Sequence, residues 1–354
     1  MKENELITLL MKQLPTLLPP DFTLEEAERE VSAGQHRVDI QARLRTPTRA
    51  WLIMIEVKNA DHIASIRHAA SQVKHFAQTQ HAIPFVASVF LGERARAALK
   101  EEGVGYLDLA GNFYLKQGEI YVEKIVADNP LSKKPPLKNL FAPISSRITR
   151  ALLGEPTRMW HVSELAKETE VSLGQASAVA KRLVAEEFLS WNSEARLQLK
   201  DAAALLEAWK QVYPTYEQQR CFLYSYEQGY DNVLASIIRK RGELPPFAFG
   251  FFTGASFIAP FIRGLTKAQV YIEKIEDIEQ WKGLLDVTQV VSGGNIELVV
   301  PYDQGVFYKP QVMPVAELGE IPIVSTVQLY MDLFSNPARG AEQAEHLRET
   351  KLTY

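Results

Sequence analysis

The sequence contains very little cysteine. Its 354 residues include a single one, Cys221, and one cysteine cannot form a disulfide bond within the chain. The absence of disulfide bonds is typical of proteins from a reducing compartment. The amino terminus, Met-Lys-Glu-Asn-Glu-Leu, also lacks the pattern of a secretory signal peptide. We therefore expect a cytoplasmic protein.

Long apolar runs are absent too. The most apolar stretch, residues 245–265, is interrupted by Gly250, Gly254, Pro260 and Arg263. A membrane-spanning helix needs about 20 consecutive, mostly apolar residues. The stretch therefore predicts buried core, and we expect no membrane partner.

The chain has no strong excess of charge of either sign. Its 39 basic and 43 acidic residues give a formal net charge of -4. This balance excludes a strongly basic nucleic-acid coat protein, so any contact with nucleic acid must come from a local basic patch. Hydrophobic residues make up 46% of the chain, which at this length predicts roughly two or three domains with buried cores.

Two neighbouring segments predict paired strands. Residues 37–44 alternate apolar and polar side chains, and residues 51–58 form a strongly apolar run that ends in Glu56, Val57 and Lys58. Alternation with a period of two is typical of a half-buried strand, and the apolar run is typical of the middle of a sheet. The turn between them predicts five facing pairs: Leu44 with Trp51, Ala42 with Ile53, Ile40 with Ile55, Asp39 with Glu56, and Arg37 with Lys58.

This register places Asp39, Glu56 and Lys58 together on the polar face. Glu56 and Lys58 are two residues apart and so share one face of the strand. Facing residues in an antiparallel pair have Cα atoms about 4.5–5.5 Å apart, and two carboxylates that close repel each other unless a cation or a shared proton relieves them. Mg²⁺ fits such a site, because it binds hard oxygen ligands and keeps several waters.

The aspartate followed by Glu-x-Lys at the end of an apolar strand resembles the PD-(D/E)xK nuclease family. The resemblance implies that Asp39 and Glu56 hold Mg²⁺ and that Lys58 places or activates the attacking water. Gln72, in the predicted helix 63–79, resembles the glutamine of a Gln-xxx-Tyr motif, and Glu5 lies where some members carry an extra acid. Phe76 replaces the tyrosine of that motif. The site could cleave DNA, could survive only as a DNA-binding scaffold, or could be a surface Glu/Lys pair.

A second pattern, residues 162–187, predicts a helix-turn-helix. Ser172 can cap a helix whose buried face consists of Ala176, Val179, Ala180, Leu183 and Val184. A predicted helix at 145–153 precedes this pair of helices, and the alternating segment 188–199 predicts a hairpin that follows it. Together they predict a winged helix whose last helix enters the major groove. The predicted DNA contacts are Ser172, Gln175, Ser177, Lys181 and Arg182 on that helix, with Arg196 on the wing. An ordinary pair of packed helices is the plainer interpretation.

The carboxy-terminal part has a weaker likeness. Gly254, Ala255 and Ser256, followed by Tyr271 and Glu273, are vaguely similar to the Gly-Ser turn and Asp-x-Asp pair of the nucleotidyltransferase fold. Tyr271 stands at the first acid position. Because two-metal phosphoryl chemistry needs at least two converging acids, we expect this domain to be inactive.

These segments predict an α/β multidomain chain. Residues 1–127 form a restriction-endonuclease-like α/β domain, and residues 128–143 form a basic, proline-rich linker. Residues 144–212 form the winged helix. Residues 213–354 form an α/β domain that resembles a degenerate nucleotidyltransferase.

The whole chain resembles the AbiEi-type antitoxin and transcriptional regulator group of type IV toxin–antitoxin systems. The segments that carry the likeness are the helix-turn-helix and residues 105–112, 253–263, 291–295, 301–307 and 324–333. The resemblance implies a winged-helix regulator that binds double-stranded DNA. A Mg²⁺-dependent nuclease guided by the winged helix, and an antitoxin that acts by binding a cognate toxin protein, stay open alternatives. Homodimer formation is also left open.

Overall fold

The computed structural model describes residues 3–33, 36–59, 62–126, 140–213, 217–315, 318–336 and 339–354. They form two compact units: Met1–Pro136 with Ala185–Glu187, and Leu137–Val184 with Phe188–Tyr354. Most of the predicted linker, 128–143, lies outside the described residues. The predicted boundary between the winged helix and the carboxy-terminal domain, at residue 213, lies inside the second unit.

The first unit contains a seven-stranded mixed sheet whose strands lie in chain order from one edge to the other. The strands are β1 (Thr23–Ala33), β2 (His36–Arg45), β3 (Ala50–Lys58), β4 (Ile83–Ser88), β5 (Gly105–Asp108), β6 (Phe113–Gln117) and β7 (Ile120–Lys124). The helices are α1 (Glu3–Leu17), α2 (Ile63–Thr79) and α3 (Glu93–Glu101). Strands β3, β4 and β5 run parallel, because α2 and α3 return the chain between them.

Strand β3 is apolar because both of its faces are covered. Ile55 and Val57 belong to one core with Leu6 and Leu10 of α1, whereas Met54 belongs to another core with side chains of α2. A strand that is buried on both sides is a nearly continuous apolar run. The predicted register of β2 and β3 is confirmed for the three pairs from Leu44–Trp51 to Ile40–Ile55.

The second unit contains nine helices and nine strands among its described residues. The helices are α4 (Pro143–Gly154), α5 (Val162–Glu168), α6 (Leu173–Ala185), α7 (Ala202–Lys210), α8 (Tyr230–Arg239), α9 (Phe251–Ile258), α10 (Asp277–Leu285), α11 (Thr326–Phe334) and α12 (Gly340–Leu347). The strands are β8 (Leu189–Trp191), β9 (Leu197–Leu199), β10 (Gln219–Tyr224), β11 (Phe247–Phe249), β12 (Ala268–Ile272), β13 (Thr288–Val290), β14 (Ile296–Val300), β15 (Gln311–Val315) and β16 (Gly319–Ile323). The last seven strands form one sheet in the order β13-β10-β14-β12-β11-β16-β15.

Helices α4, α5 and α6, with the hairpin β8–β9, form what we call the three-helix module (residues 143–199). The Ser172 side chain caps α6 by accepting a hydrogen bond from the Gln175 amide at 3.3 Å, which confirms its predicted capping role. In the hairpin, Asn192 Oδ1 accepts hydrogen bonds from the amides of Glu194 and Arg196 at 3.0 and 2.8 Å. These side-chain bonds fix both turns of the module.

The expectation of an α/β chain is confirmed at this level, since both units combine helices with mixed sheets. None of the helices in the described part of the chain is long and apolar enough to cross a membrane.

Candidate metal site and nucleic-acid interface

Asp39, Glu56 and Lys58 come together at the end of β3. Lys58 Nζ lies 3.1 Å from Glu56 Oε1, and the Val57 amide donates to Asp39 Oδ2 at 2.7 Å. Glu56 is only 7% exposed. We call these three residues the strand-end site. The two acids and the lysine converge as the sequence pattern predicts.

The geometry of Asp39 differs from the prediction in one respect. The β2–β3 pairing ends at Ile40–Ile55, one residue before the predicted Asp39–Glu56 pair, and the Asp39 carboxylate accepts from β3 in place of a main-chain carbonyl. Val38 packs in the core beside α2, although Ile40 packs in the core beside α1. Strand β2 therefore changes course at Asp39, and this change aims the carboxylate at the end of β3.

The pKa values of all three side chains of the strand-end site are raised above their ordinary values. Burial raises the pKa of Glu56 above its ordinary value, and the neighbouring Asp39 raises it further, against the lowering effect of Lys58. Burial likewise raises the pKa of Asp39, although the Val57 amide and Lys58 lower it. Burial lowers the pKa of Lys58, but Glu56, Glu3 and Asp39 together raise it above its ordinary value. One lysine does not fully compensate the two acids.

The residues of the strand-end site fit Mg²⁺. Mg²⁺ is usually held by one or two carboxylates and keeps several waters, and the site offers two carboxylates in a partly buried, electronegative setting. Within the described ranges, no group of three or more histidine, cysteine, aspartate or glutamate residues is arranged to hold a metal. Asp39 and Glu56 are the two side chains that would hold Mg²⁺.

Two other residues singled out in the sequence, Glu5 and Gln72, lie on α1 and α2, and Glu5 is exposed. The acid on α1 that reaches Lys58 is Glu3, at 3.7 Å, a residue that the sequence pattern did not single out. Gln72 lies half-buried on α2, and its role stays a prediction.

We expect Mg²⁺ to bind the strand-end site more tightly as pH rises. Both acids must be ionised to bind the metal, and their raised pKa values keep the proton on them to a higher pH than usual. Calorimetric titration of Mg²⁺ at about pH 5 and about pH 7.5 should show stronger binding at the higher pH and proton release at the lower one. The Glu56→Gln variant should lose most of the heat. Equal titrations for both proteins would contradict the assignment.

The predicted DNA contacts lie on the outer side of α6. Ser172 and Lys181 are exposed, while Gln175, Ser177 and Arg182 are half-buried. On the opposite side of α6, Ala176, Val179, Ala180 and Leu183 are buried as predicted, whereas Val184 is half-buried. On the hairpin, Arg196 is half-buried and its Nε lies 3.4 Å from Glu194 Oε2. The exposed part of the outer side of α6 includes Ser172, Ala178 and Lys181.

Four large apolar side chains of the same module are exposed and were not predicted as functional: Ile144, Met159, Leu173 and Trp191. Leu173, the first residue of α6, is 58% exposed, and Trp191, on strand β8, is 43% exposed. Leu173 lies three residues before Ala176 and seven before Ala180, a spacing that fits the buried face, so the sequence pattern gives no sign that it is exposed.

The carboxy-terminal pair Tyr271 and Glu273 does not form an acid site. Tyr271 is fully buried on β12 and donates to Asp332 Oδ1 at 2.8 Å. Glu273 lies beyond the end of β12, where its main-chain carbonyl accepts from Gln304 at 3.0 Å. The buried acid beside Tyr271 is Asp332 of α11, and burial raises its pKa to about 6.

Asp332 belongs to a buried polar network that joins α11 to α4. Gln328 donates to Asp332 Oδ1 at 2.7 Å and accepts from Arg150 Nη2 at 2.8 Å. Arg150 also donates to Ser146 Oγ at 2.8 Å and to Tyr302 at 2.7 Å. Arg150 is only 1% exposed, so a charged side chain of the three-helix module is enclosed by the rest of its unit.

Fold and sites together define an α/β protein with two features: a strand-end pair of carboxylates with a lysine, and a three-helix module whose last helix exposes a polar, partly cationic side. Residues 198–353 match the family described as transcriptional regulator, AbiEi antitoxin, type IV TA system. The match covers less than half of the chain and begins on β9, so it includes neither α6 nor the strand-end site.

The other comparisons are sparse. No curated protein matches the chain. A solved structure described as "Structure of EndoMS in apo form" is similar over 31% of this chain and 46% of its own, with 18% identity and a TM-score of 0.23. The chain therefore spans less than half of the length of that structure, and the superposition is too poor to support an argument about function.

Proposed function

We propose that the chain is a sequence-specific, DNA-binding transcriptional regulator of the AbiEi antitoxin type, and that the three-helix module is its winged helix. The observation that carries this proposal is the outer side of α6, where the polar Ser172 and the cationic Lys181 are exposed opposite the buried face. In a helix-turn-helix protein the second helix lies in the major groove and its first residues meet the base edges. The family match of residues 198–353 supports the same class.

Each predicted contact has a distinct role. Gln175 and Ser177 are close to the start of α6 and supply hydrogen-bonding groups for base edges. Lys181 and Arg182 lie further along α6 and supply positive charge for phosphates. Arg196, on the hairpin, would exchange its pairing with Glu194 for a phosphate or the minor groove.

Replacing Lys181 and Arg182 together with alanine is expected to weaken DNA binding by at least about tenfold and to reduce the salt slope by about two. Affinity is measured by fluorescence anisotropy at several salt concentrations, with a duplex selected by the full chain from a randomised pool. The matched control is Arg239→Ala with Lys240→Ala, at the carboxy-terminal end of α8, which removes the same charge from another part of the chain. Unchanged affinity of the α6 variant at moderate salt would reject this placement.

A second function, Mg²⁺-dependent DNA cleavage, is favoured by the convergence at the strand-end site. On this proposal the first unit is a restriction-endonuclease-like domain and the winged helix delivers the DNA. A bound Mg²⁺ would supply charge stabilisation and a more acidic water. Asp39 and Glu56 would hold it, and Lys58, 3.1 Å from Glu56, would orient the water and stabilise negative charge on the phosphate.

The remaining parts of the proposal concern partners and the carboxy-terminal sheet. We assign that sheet to an inactive, nucleotidyltransferase-like domain, in agreement with the burial of Tyr271 against Asp332. A cognate toxin, as the family description suggests, would be sought by co-purification from the native operon. A homodimer would be tested by light scattering of the purified chain.

A further inference from the structure

Gly174, the second residue of α6, is a glycine that the fold does not require. It does not have a positive φ, and a Cβ built on it would meet no atom within 4 Å. Glycine in a helix costs stability relative to alanine, because it loses more backbone freedom on folding. Neither backbone geometry nor packing within the chain explains its presence, so the open space beside it points to a partner that approaches the backbone closely.

Leu173, next to Gly174, is equally unexplained by the fold. A single leucine exposed on a protein surface is common, but this one stands at the first position of a helix whose neighbouring exposed residues are polar, small or cationic. Ser172 precedes it, and Ala178 and Lys181 are exposed further along the helix. One apolar side chain among such residues is too small a patch for protein docking, which uses several hundred Å².

One kind of partner fits both observations. The major groove of B-form DNA is about 12 Å wide, so a helix without a side chain at Gly174 and with only a methyl group at Ala178 can lie deeply in it. The methyl group of thymine is an apolar contact that distinguishes thymine from the other bases in the major groove. The positive charge of Lys181, one turn beyond Ala178, complements the phosphates.

We propose that Leu173 and Gly174 determine DNA specificity: the bare backbone at Gly174 seats the start of α6 against the base edges, and Leu173 contacts a thymine methyl group. This inference rests on the proposed DNA-binding function and deepens it by naming the residues that read the bases. It predicts that at least one thymine in the preferred site is read through its methyl group.

The first test separates the fold from the function at Gly174. Gly174→Ala should not lower the midpoint of thermal unfolding of the full chain, yet it should weaken binding about tenfold, as the loss of a base contact does. The probe is the duplex of highest affinity that the chain selects from a randomised pool of about two helical turns. Gly283→Ala is the matched control, because Gly283 is also an exposed helical glycine, on α10, with no atom within 4 Å of its Cβ position.

The second test addresses Leu173 by removing single methyl groups from the DNA. Replacing each thymine of the selected duplex in turn with deoxyuridine should weaken binding of the unaltered chain at one position about fivefold. Leu173→Ala should bind the unmodified duplex correspondingly less well and should not respond to deoxyuridine at that position. Val312→Ala is the control, because Val312 is exposed to the same extent, 58%, on β15.

The outcomes distinguish a failure of the proposed roles of Leu173 and Gly174 from a failure of the proposed DNA binding. If the unaltered chain selects no duplex from the pool, DNA binding itself is wrong, and the inference is overturned with it. If the chain selects a duplex but Gly174→Ala binds it as tightly as Gly283→Ala does, only the inference is overturned. If each deoxyuridine replacement weakens the binding of Leu173→Ala as much as it weakens the binding of the unaltered chain, the contact of Leu173 with the thymine methyl group is overturned.

Discussion

Replacing Glu56 with glutamine is expected to lower Mg²⁺-dependent cleavage of duplex DNA by the chain by at least about a hundredfold. Glutamine has nearly the same size as glutamate but lacks its charge, so the fold should tolerate the change while the metal loses one of two anionic ligands. The change also removes the negative charge that Glu56 contributes to its ion pair with Lys58. Cleavage of a supercoiled plasmid over time, with and without chelator, measures the effect.

A matched variant keeps this test specific. Glu25→Gln, on β1 of the same unit, removes one carboxylate that pairs with Arg45 at 3.4 Å, far along the chain from β3. We expect it to cut as the unaltered chain does. If the unaltered chain and Glu56→Gln cut equally and only at background level, the strand-end site is a binding scaffold and the nuclease proposal fails.

Replacing Arg150 with methionine is expected to destabilise the chain by about 3–5 kcal/mol. The guanidinium makes hydrogen bonds to Ser146, Tyr302 and Gln328 and lies over the ring of Trp209 at 4.9 Å. Methionine fills part of the space but leaves these acceptors without a donor. It also removes the positive charge that lowers the pKa of Asp332. Urea unfolding followed by tryptophan fluorescence measures the free energy of unfolding.

The loss of stability caused by Arg150→Met should be larger at higher pH. The pKa of Asp332 in the folded chain, about 6, is above its ordinary value of 3.8. The folded chain therefore binds this proton more tightly than the unfolded chain does, and the stability that the proton contributes is lost as pH rises through about 6. Without Arg150 the ionised form is more costly still, so the variant should lose more stability at about pH 7.5 than at about pH 5.

Two further variants test the cause of this loss. Adding Asp332→Asn to Arg150→Met removes the uncompensated negative charge and should restore part of the stability, because the two sites share one network. Arg239→Met, on the exposed side of α8, should change the stability by less than about 0.5 kcal/mol. Additive losses in the double variant, with no pH dependence, would contradict the coupling of Arg150 to Asp332.

The strand-end site could be predicted from the sequence because it depends on local rules. The alternation in β2 and the apolar run of β3 fix the pairing that the structure has between Leu44 and Trp51, and the two-residue spacing places Glu56 and Lys58 together. The end of that pairing at Ile40 could not be predicted, because it depends on where the Asp39 side chain replaces a main-chain acceptor. Glu3 was also missed, since α1 reaches Lys58 only through tertiary packing.

The polar network of the second unit could not be predicted for a similar reason. Arg150 and Gln328 are 178 residues apart in the chain, and no periodic pattern connects residues at that separation. From the sequence alone, an arginine on α4 is expected to be an exposed surface residue. The sequence showed a tyrosine, Tyr271, at the first acid position, but its hydrogen-bond partner, Asp332, was not foreseen because it lies on α11.

The position of Arg150 determines where a truncated fragment of this chain that still folds could begin. The similarity to the antitoxin family begins at residue 198, between the first and last residues of β9. A fragment that started there would retain Gln328 and Asp332 without their arginine. It would also lack Trp160, whose main chain hydrogen-bonds to Leu197 and whose side chain is fully buried. The family match therefore begins inside a folded unit. A carboxy-terminal fragment that folds on its own would have to begin before α4.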